Sequence, residues 1–464
     1  ILVSEFIRGV YMKKYMLPVI AAGVMICSAA KADTVFDALA EAYRSNPDLQ
    51  AQRAYLRSVD ENVAIAKSGY RPNIALTGTY SNSNTNNSLN SKEEGSASHT
   101  LAATVSQPLF SGFSTVNSVK SADSAVRAAQ YNLSDYEQSI FLSASEAYLN
   151  VVRDKAIVDL QKNNERLLKK QLDETKERFN VGELTRTDVA QAKSSYSQAV
   201  ANRISAEGTL EVSKAVYKQV IGKEPQNLSE PDNIHTFLPP TFDKALSYTL
   251  DNNFAVLQAK QNLNSKDYAV KANYGALAPQ LAAEGSVSKT KNNPKHHGDE
   301  TGTVDDVSLG LNATIPLYDA GENRAKIRQS KYAKWQAQEQ VMSAQRTAVS
   351  NITSSWEAMV TYDAKIKALI DQVEANGIAL DGVKKEEALG NRTILDVLNA
   401  YQTLLNSQVE VVKARREYYL YAMQVMQAMG KLTAKNLKLD VELYQPKKLY
   451  KETRDKWLST SIDK

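Results

Sequence analysis

Two long stretches of the chain place apolar residues at steps of three and four. They cover about residues 113–180 and 321–389, and this spacing is typical of amphipathic helices that wrap around other helices. At about 1.5 Å per residue, each helix would be on the order of 100 Å long. A globular domain cannot contain helices of this length, so the pattern predicts long helices that pack along one another.

Four shorter segments alternate apolar and polar residues instead. The alternation is strongest at 281–287 and 307–317, and residues 74–80 and 101–109 repeat it in the first half. A period of two with one apolar face indicates β-strands. Each segment is about ten residues long, which fits a strand that crosses a membrane.

The four predicted strands cannot form a closed membrane sheet within one chain. An open sheet edge in lipid leaves backbone groups without hydrogen bonds, and the smallest closed barrels need about eight strands. The pattern therefore predicts a barrel built from several copies about a symmetry axis, with polar loops at 81–98 and 289–303 outside the membrane. The other interpretation is a soluble sheet carried on coiled coil, but helices this long leave such a sheet no second layer.

The two halves of the sequence are copies of one unit. The stretch ERFNVGELTRTDVAQAKS at 177–194 has its counterpart in EEALGNRTILDVLNAYQT at 386–403. In each stretch a glycine is suited to end one helix, a threonine to cap the next, and an aspartate three residues on to complete a capping box. Each stretch therefore predicts a tight hairpin of two helices. The matched residues are Gly182 and Gly390, Thr185 and Thr393, and Asp188 and Asp396.

The repeat divides the chain into five segments. Each copy predicts an initial helix (34–69 in the first copy), two strands, a long helix and a final helix. The initial and final helices would stack end to end beside the long one, so that the linker and the tail meet halfway along it; the tail is expected to be partly disordered. The segments are 1–32 as leader and signal peptide cleaved after Ala32, 33–221 as first repeat, 222–240 as linker, 241–430 as second repeat, and 431–464 as C-terminal tail.

The first segment predicts export. From Met12 onward, two lysines, a short apolar run and a small-residue motif ending at Ala32 form a secretory signal peptide. The only cysteine, Cys27, lies within it, so the mature chain would lack disulfides, as expected of a bacterial envelope protein. No mature segment has about 18 consecutive apolar residues, so no transmembrane helix is predicted.

Charge and candidate chemistry exclude several functions. The formal net charge is +4, of which residues 1–32 carry +3, from four basic residues against one acidic residue. A nearly neutral mature chain without a basic block argues against nucleic acid as a partner. The pair His296–His297 lies in a polar stretch without metal-ligand spacing, and no glycine-rich phosphate loop is present. We therefore expect no enzyme activity, no metal and no cofactor.

The doubled Pro-Leu-Phe/Tyr sequence, the two apolar-Gly hairpins and the signal peptide resemble the TolC family of outer-membrane channels. The resemblance covers residues 33 to about 442, and RTILDVLNA after the second glycine is its most specific part. It implies a homotrimer with a 12-stranded outer-membrane β-barrel in lipid and an α-helical tunnel through the periplasm. Its partners would be a periplasmic adaptor protein and an inner-membrane RND or ABC transporter. Cargo would be small toxic compounds, proteins (type I secretion), or both; the alternative is a non-conducting trimeric coiled-coil stalk or adhesin.

The resemblance also implies a gate at the periplasmic tip. Asp396 would form a ring of three carboxylates that favours cations, and Arg392 matches a residue that helps to latch the closed tip. Asp188 is either a second pore residue or only a helix cap. Two positions depart from the family pattern, because Asn399 replaces an acidic residue and Glu387 replaces a tyrosine.

The hairpin turns are the predicted contact with the adaptor. Short apolar-Gly turns let another helical hairpin approach closely, and the resemblance places both turns at the end of the tunnel. The predicted contact residues are Val181, Gly182, Leu184, Thr185, Leu389, Gly390 and Thr393.

Overall fold

The computed structural model describes residues 33–87, 92–231, 234–294 and 302–462, which belong to one compact unit. The predicted signal peptide at 1–32 and the pair His296–His297 lie outside these residues. The first copy contains α1 (Val35–Ser45), α2 (Pro47–Ser68), β1 (Asn73–Asn87), β2 (Lys92–Ser111), α3 (Ser114–Asn180) and α4 (Arg186–Ile221).

The second copy has the same order of elements. It contains α5 (Phe242–Asn252), α6 (Phe254–Tyr274), β3 (Gln280–Pro294), β4 (Gly302–Thr314), α7 (Glu322–Ala388) and α8 (Ile394–Ala428). Short 3₁₀ turns occupy Ile234–Phe237 and Gly275–Leu277, and α9 (Pro446–Thr453) lies in the tail. The long helices α3 and α7 have 67 residues each, which confirms the prediction of two helices about 100 Å long. Among the described helices, none is both long and apolar enough to cross a membrane.

The initial helix of each copy is two helices rather than the single helix predicted at 34–69. In the first copy the break lies at Asn46, whose side-chain oxygen accepts bonds from the backbone of Asp48 and Leu49. Pro47 occupies the first position of α2, where its missing N–H costs no hydrogen bond. In the second copy Asn253 caps α6 by accepting from Val256. The break is therefore built from the same residue type in both copies.

The four strands form one antiparallel sheet in the order β1-β2-β3-β4. They are longer than predicted, since β1 continues to Asn87 and β3 to Pro294. Most of the residues assigned to loops at 81–98 and 289–303 are therefore paired strand. The hydrogen bonds between neighbouring strands need only backbone groups, so polar residues can form strands as well. Polar side chains can also pair across the strands; the hydroxyl oxygens of Ser81 and Ser98 lie 2.7 Å apart.

One face of the sheet is apolar and exposed. The register places Leu76 beside Ala103, Ala103 beside Val287, and Val287 beside Val307, and directly opposed residues point to the same side of a sheet. Leu76, Val287 and Val307 are all exposed. Among the described elements, none packs over this face, as expected of a sheet that faces lipid.

The largest core lies where the short helices meet beside the long ones. Phe141 and Tyr148 of α3 are fully buried there, together with Tyr217 of α4 and Met423 of α8. The Tyr148 hydroxyl lies 2.8 Å from the carbonyl oxygen of Asp33 and 2.7 Å from that of Ser229, which ties the start of the first copy and the linker to α3.

The C-terminal tail differs from the expectation of a partly disordered segment halfway along the long helices. Its first part does bind there, because the backbone N–H of Ala434 donates to Glu137 of α3 at 2.7 Å. The tail then continues past α1, where the Tyr43 hydroxyl accepts from the backbone of Tyr444, and α9 packs against α2. Specific side-chain contacts along this course order the tail as far as the described residues extend.

Candidate functional site at the hairpin tips

Both hairpin turns have the same backbone geometry. After α3, Gly182 has a φ of 87°, and after α7, Gly390 has a φ of 81°, which confirms the left-handed conformation predicted for both. The N–H of Glu183 donates to the carbonyl of Arg178, and the N–H of Asn391 donates to that of Glu386, each at 2.9 Å. Each of these bonds joins an N–H to the carbonyl oxygen five residues earlier, as in a Schellman motif. They satisfy carbonyl groups that would otherwise lack a hydrogen-bond donor at the end of a helix.

Each following helix begins with the predicted capping box. In α4 the N–H of Asp188 donates to the hydroxyl oxygen of Thr185 at 3.2 Å, and the N–H of Thr185 donates to Oδ2 of Asp188 at 2.9 Å. In α8 the corresponding bonds between Asp396 and Thr393 measure 3.2 and 3.0 Å. The same residues therefore end one helix direction and fix the start of the next.

Both capping aspartates carry a full negative charge at neutral pH. Hydrogen bonds from the side chain and the backbone of Thr185 lower the pKa of Asp188. The backbone and side chain of Thr393 do the same for Asp396, and the nearby Arg392 guanidinium adds to the effect. Because hydrogen bonds to the ionised form favour it, these carboxylates stay charged well below neutral pH.

An ion pair connects the two hairpins. Arg178, near the end of α3, donates from Nη1 to Oε1 of Glu387 on α7 at 2.6 Å, and from Nε to Oε2 of Glu183 at 3.1 Å. Glu387 is buried, and removing one partner of a buried ion pair is strongly destabilising. Arg178 is not among the tip residues predicted from the sequence; a basic residue one turn before the glycine was the available signal, but its partner lies 209 residues away.

A second ion pair stays within one hairpin. Arg392 donates from Nε to Oε2 of Glu386 at 2.9 Å, and both side chains are half exposed. Within the chain, Arg392 therefore bridges the two sides of a single turn. Asn399 is exposed one turn after Asp396, and its carbonyl accepts a bond from the Thr403 hydroxyl at 2.9 Å.

The remaining predicted tip residues divide into exposed and packed positions. Val181 and Leu389 are 73% and 77% exposed. Leu184 instead packs against the small core of the tip, which unites residues from all four helices. That core brings both hairpin ends together at one end of the helices; its buried members are Leu168, Ala199, Leu380, Ile394, Val397, Leu398 and Tyr401.

A search of residues 33–462, apart from the gaps in the description, gives no group of three acidic, histidine or cysteine side chains arranged to hold a metal ion. The tip offers charge and apolar surface rather than a set of ligands or a nucleophile beside a base. Long paired helices that end in two such tips, joined to a sheet with an exposed apolar face, define the class of outer-membrane channels.

Comparison with known proteins gives the family. The chain belongs to the outer membrane efflux protein family, whose model matches residues 38–223 and 245–431. The outer membrane efflux protein BepC of Brucella suis biovar 1 is 36% identical over 434 residues, which cover 94% of this chain and 93% of BepC. The outer membrane protein TolC of Escherichia coli is 26% identical over 420 residues, which cover 88% of this chain and 85% of TolC.

More distant relatives support the same architecture. The proteases secretion protein PrtF of Dickeya chrysanthemi is 23% identical over 429 residues, 88% of this chain and 90% of PrtF. The solved structure of the outer membrane protein VceC of Vibrio cholerae has the same fold, with a TM-score of 0.73 at 18% identity, over 85% of this chain and 96% of VceC. The fold class and the resemblance to TolC are thus confirmed. Membership of this family of outer-membrane export channels does not agree with a non-conducting stalk or adhesin. The same membership confirms the prediction that the protein is not an enzyme.

Proposed function

We propose that three copies of this chain form a closed exit duct through the outer membrane and the periplasm. The observation that carries the proposal is the sheet: β1 and β4 are its edges, and among the described residues each pairs on one side only. Because its apolar face is exposed, an open edge would lie in lipid with unsatisfied backbone groups. Pairing β4 of one copy with β1 of the next removes every edge, and three copies give the 12 strands that the resemblance implies.

The helices would extend this barrel as a tunnel, and the tips would meet the periplasmic adaptor. Val181 and Leu389 present exposed aliphatic side chains beside Gly182 and Gly390, whose missing side chains allow close approach of a partner helix. Apart from the chain neighbours, no described residue lies within 4 Å of a Cβ built on either glycine, so a partner helix has room to approach. An inner-membrane RND or ABC transporter, held by the adaptor, would supply the energy.

The gate would consist of an ion pair within each copy and a ring of carboxylates around the axis of the trimer. The ion pair between Arg178 and Glu387 holds the two hairpins of one copy together. If the tip of the tunnel opens by moving one hairpin away from the other, this ion pair must break. Asp396 would supply three carboxylates around the axis, where their common field favours cations. Arg392, which the sequence analysis assigned to the latch, would hold the turn of α7 and α8 in shape through Glu386.

Single-channel recording in planar bilayers tests this function. The purified protein should insert and conduct, with a reversal potential that shows cation preference across a salt gradient. Asp396→Asn should shift that potential toward zero, because the ring loses its charge while Asn keeps most of the capping role. Asp188→Asn changes the matched cap on α4, and an unchanged reversal potential in this variant would show that Asp188 is only a helix cap. A protein that inserts without conducting would overturn the duct, and an unchanged reversal potential in Asp396→Asn would remove this residue from the pore.

We favour small toxic compounds as cargo, because the similarity to BepC, an efflux protein, is closer than that to PrtF. The similarity to PrtF over nearly the whole chain supports protein secretion as a second candidate. Deleting the gene separates the two: loss of resistance to dyes and detergents supports efflux, and loss of proteins from the culture medium supports secretion.

A further inference from the structure

The tail that follows α9 carries large apolar side chains on its surface. Trp457, Leu458 and Ile462 are 64%, 80% and 82% exposed. Away from the sheet and the hairpin tips, apolar residues of this size so close together on a surface indicate an interaction site.

The tail is held at a fixed position by contacts with α2 and α3. The Tyr450 hydroxyl donates to Asp123 of α3, and Arg454 lies 3.6 Å from the same carboxylate. Lys67, at the end of α2, donates to Asp455 at 2.5 Å. These bonds carry the tail along α2 toward the strands, so the position of Trp457 is set by the fold.

Trp457 lies at the junction between helices and sheet. The guanidinium of Arg71 stands 5.4 Å from the centre of the Trp457 ring, and Arg71 precedes the start of β1 by two residues. The carbonyl of the neighbouring Tyr70 accepts a bond from Gln107 of β2 at 3.0 Å. The exposed end of the tail therefore begins level with the ends of the strands that carry the apolar face.

Other exposed aromatic residues occupy the same level. Phe113, between β2 and α3, is exposed and contacts Phe110 edge to face, with ring centres 5.3 Å apart. Tyr70 and Tyr318 are also exposed, each next to a strand end. Tryptophan and tyrosine are enriched where a membrane meets water, because their rings are apolar and carry a polar group.

The charge of α9 fits a lipid surface. Lys447, Lys448 and Lys451 are all exposed on this short helix, which also carries one acidic residue, Glu452, and lysines near a membrane are attracted to anionic headgroups. Trp457 follows six positions after Lys451. A phospholipid interface is the partner that matches both features at the level where the strands enter the membrane.

We propose that residues 457–462 insert into the headgroup region of the periplasm-facing phospholipid leaflet, with the lysines of α9 facing that leaflet from the periplasm. The tail is then a second membrane contact of each copy, separate from the barrel strands. The proposal rests on the orientation of the proposed duct, in which the helix-proximal ends of the strands face the periplasm.

Tryptophan quenching by brominated phospholipids tests the proposal on the full protein. The chain has three tryptophans, so Trp335→Phe with Trp356→Phe leaves Trp457 as the only emitter. In vesicles that contain anionic phospholipid, its emission should shift to the blue and lose intensity with bromine near the headgroups. The matched control keeps Trp356 alone, which lies about 50 Å along α7 from its start and should keep its intensity.

Flotation of the same samples with the vesicles reports insertion of the barrel. The proposed insertion of the tail is supported if Trp457 is quenched in the inserted protein. The quenching should be lost when Lys447, Lys448 and Lys451 are all replaced by serine. If the protein inserts but Trp457 is not quenched, the proposed insertion of the tail is wrong, and the proposed exit duct is unaffected. Protein that does not float with the vesicles overturns both proposals.

Discussion

The long helices α3 and α7 have the same length and the same place in their copies, yet they are buried very differently. α3 packs against α1, α2, α4, α6 and α8, whereas α7 packs against α5, α6 and α8. At one matched position, Phe141 of α3 is fully buried and Val349 of α7 is 36% exposed. Trp335 and Met342 precede Val349 at steps of seven and are also exposed. A heptad seam that the chain itself does not cover is suited to a helix of another copy.

The largest effect is expected in the buried member of this pair. Phe141→Ala removes a ring from a closed core and should lower the free energy of unfolding by about 3–5 kcal/mol. Val349→Ala removes two methyl groups from a half-covered position and should cost about 1 kcal/mol or less. Urea unfolding in detergent, followed by circular dichroism, measures both. A loss of about 2 kcal/mol or more in Val349→Ala would show that this position is fully buried in the assembled protein.

The exposed seam should control assembly rather than folding. Met342→Glu places a charge where a partner helix would pack, and burying it without a partner costs several kcal/mol. We expect monomers with unchanged helix content, measured by light scattering and circular dichroism in detergent. Met342→Leu keeps the apolar surface and should remain trimeric. Fully trimeric Met342→Glu would show that the seam faces solvent.

Local patterns predicted most of the elements because each depends on nearby residues. The long helices and the capping boxes at Thr185 and Thr393 follow from periodicity and from contacts three residues apart. The break at Asn46 was signalled by the following Pro47 but was hidden within a continuous helical pattern. The full length of β1 was missed because its outer half is paired through backbone bonds that polar side chains do not reveal.

Contacts between distant parts of the chain could not be predicted in the same way. The course of the tail depends on Tyr450 meeting Asp123, which is 327 residues earlier. The partner of Glu387 depends on how closely the two hairpins pack. Sequence alone identified Glu387 only as a departure from the family pattern, and the fold was needed to show that Arg178 compensates its charge.

The two ion pairs at the tip extend the comparison to the gate. Glu387→Gln weakens the pair with Arg178 that joins α3 to α7, and we expect a higher resting conductance in planar bilayers. Glu386→Gln weakens the pair with Arg392 inside one hairpin, which does not hold the two hairpins together, so its effect should be smaller. A larger effect of Glu386→Gln would place the latch at Arg392 instead.

A difference that depends on pH separates two aspartates on the short helices α2 and α6. Asp60 of α2 is buried and its carboxylate accepts no hydrogen bond among the described residues; Arg57 is 4.0 Å away. Burial raises the pKa of Asp60 from 3.8 to about 6, against the attraction of Arg57. Asp267 of α6 instead accepts bonds from Lys271 and Lys334, which lower its pKa. The first copy buries its carboxylate and the second keeps its carboxylate paired near the surface.

The sign of the pH dependence follows from these shifts. The folded state binds a proton at Asp60 more readily than the unfolded state, so stability from this residue falls as pH rises from about 4 to about 6 and stays low above. Asp60→Asn should therefore stabilise the protein at pH 8, on the order of 1–2 kcal/mol, and have little effect at pH 4. Asp267→Asn is the control with the opposite sign, because its ion pairs stabilise at pH 8 and are lost in acid. Urea midpoints at the two pH values measure both variants, and a loss of stability in Asp60→Asn at pH 8 would show that Arg57 compensates the buried charge.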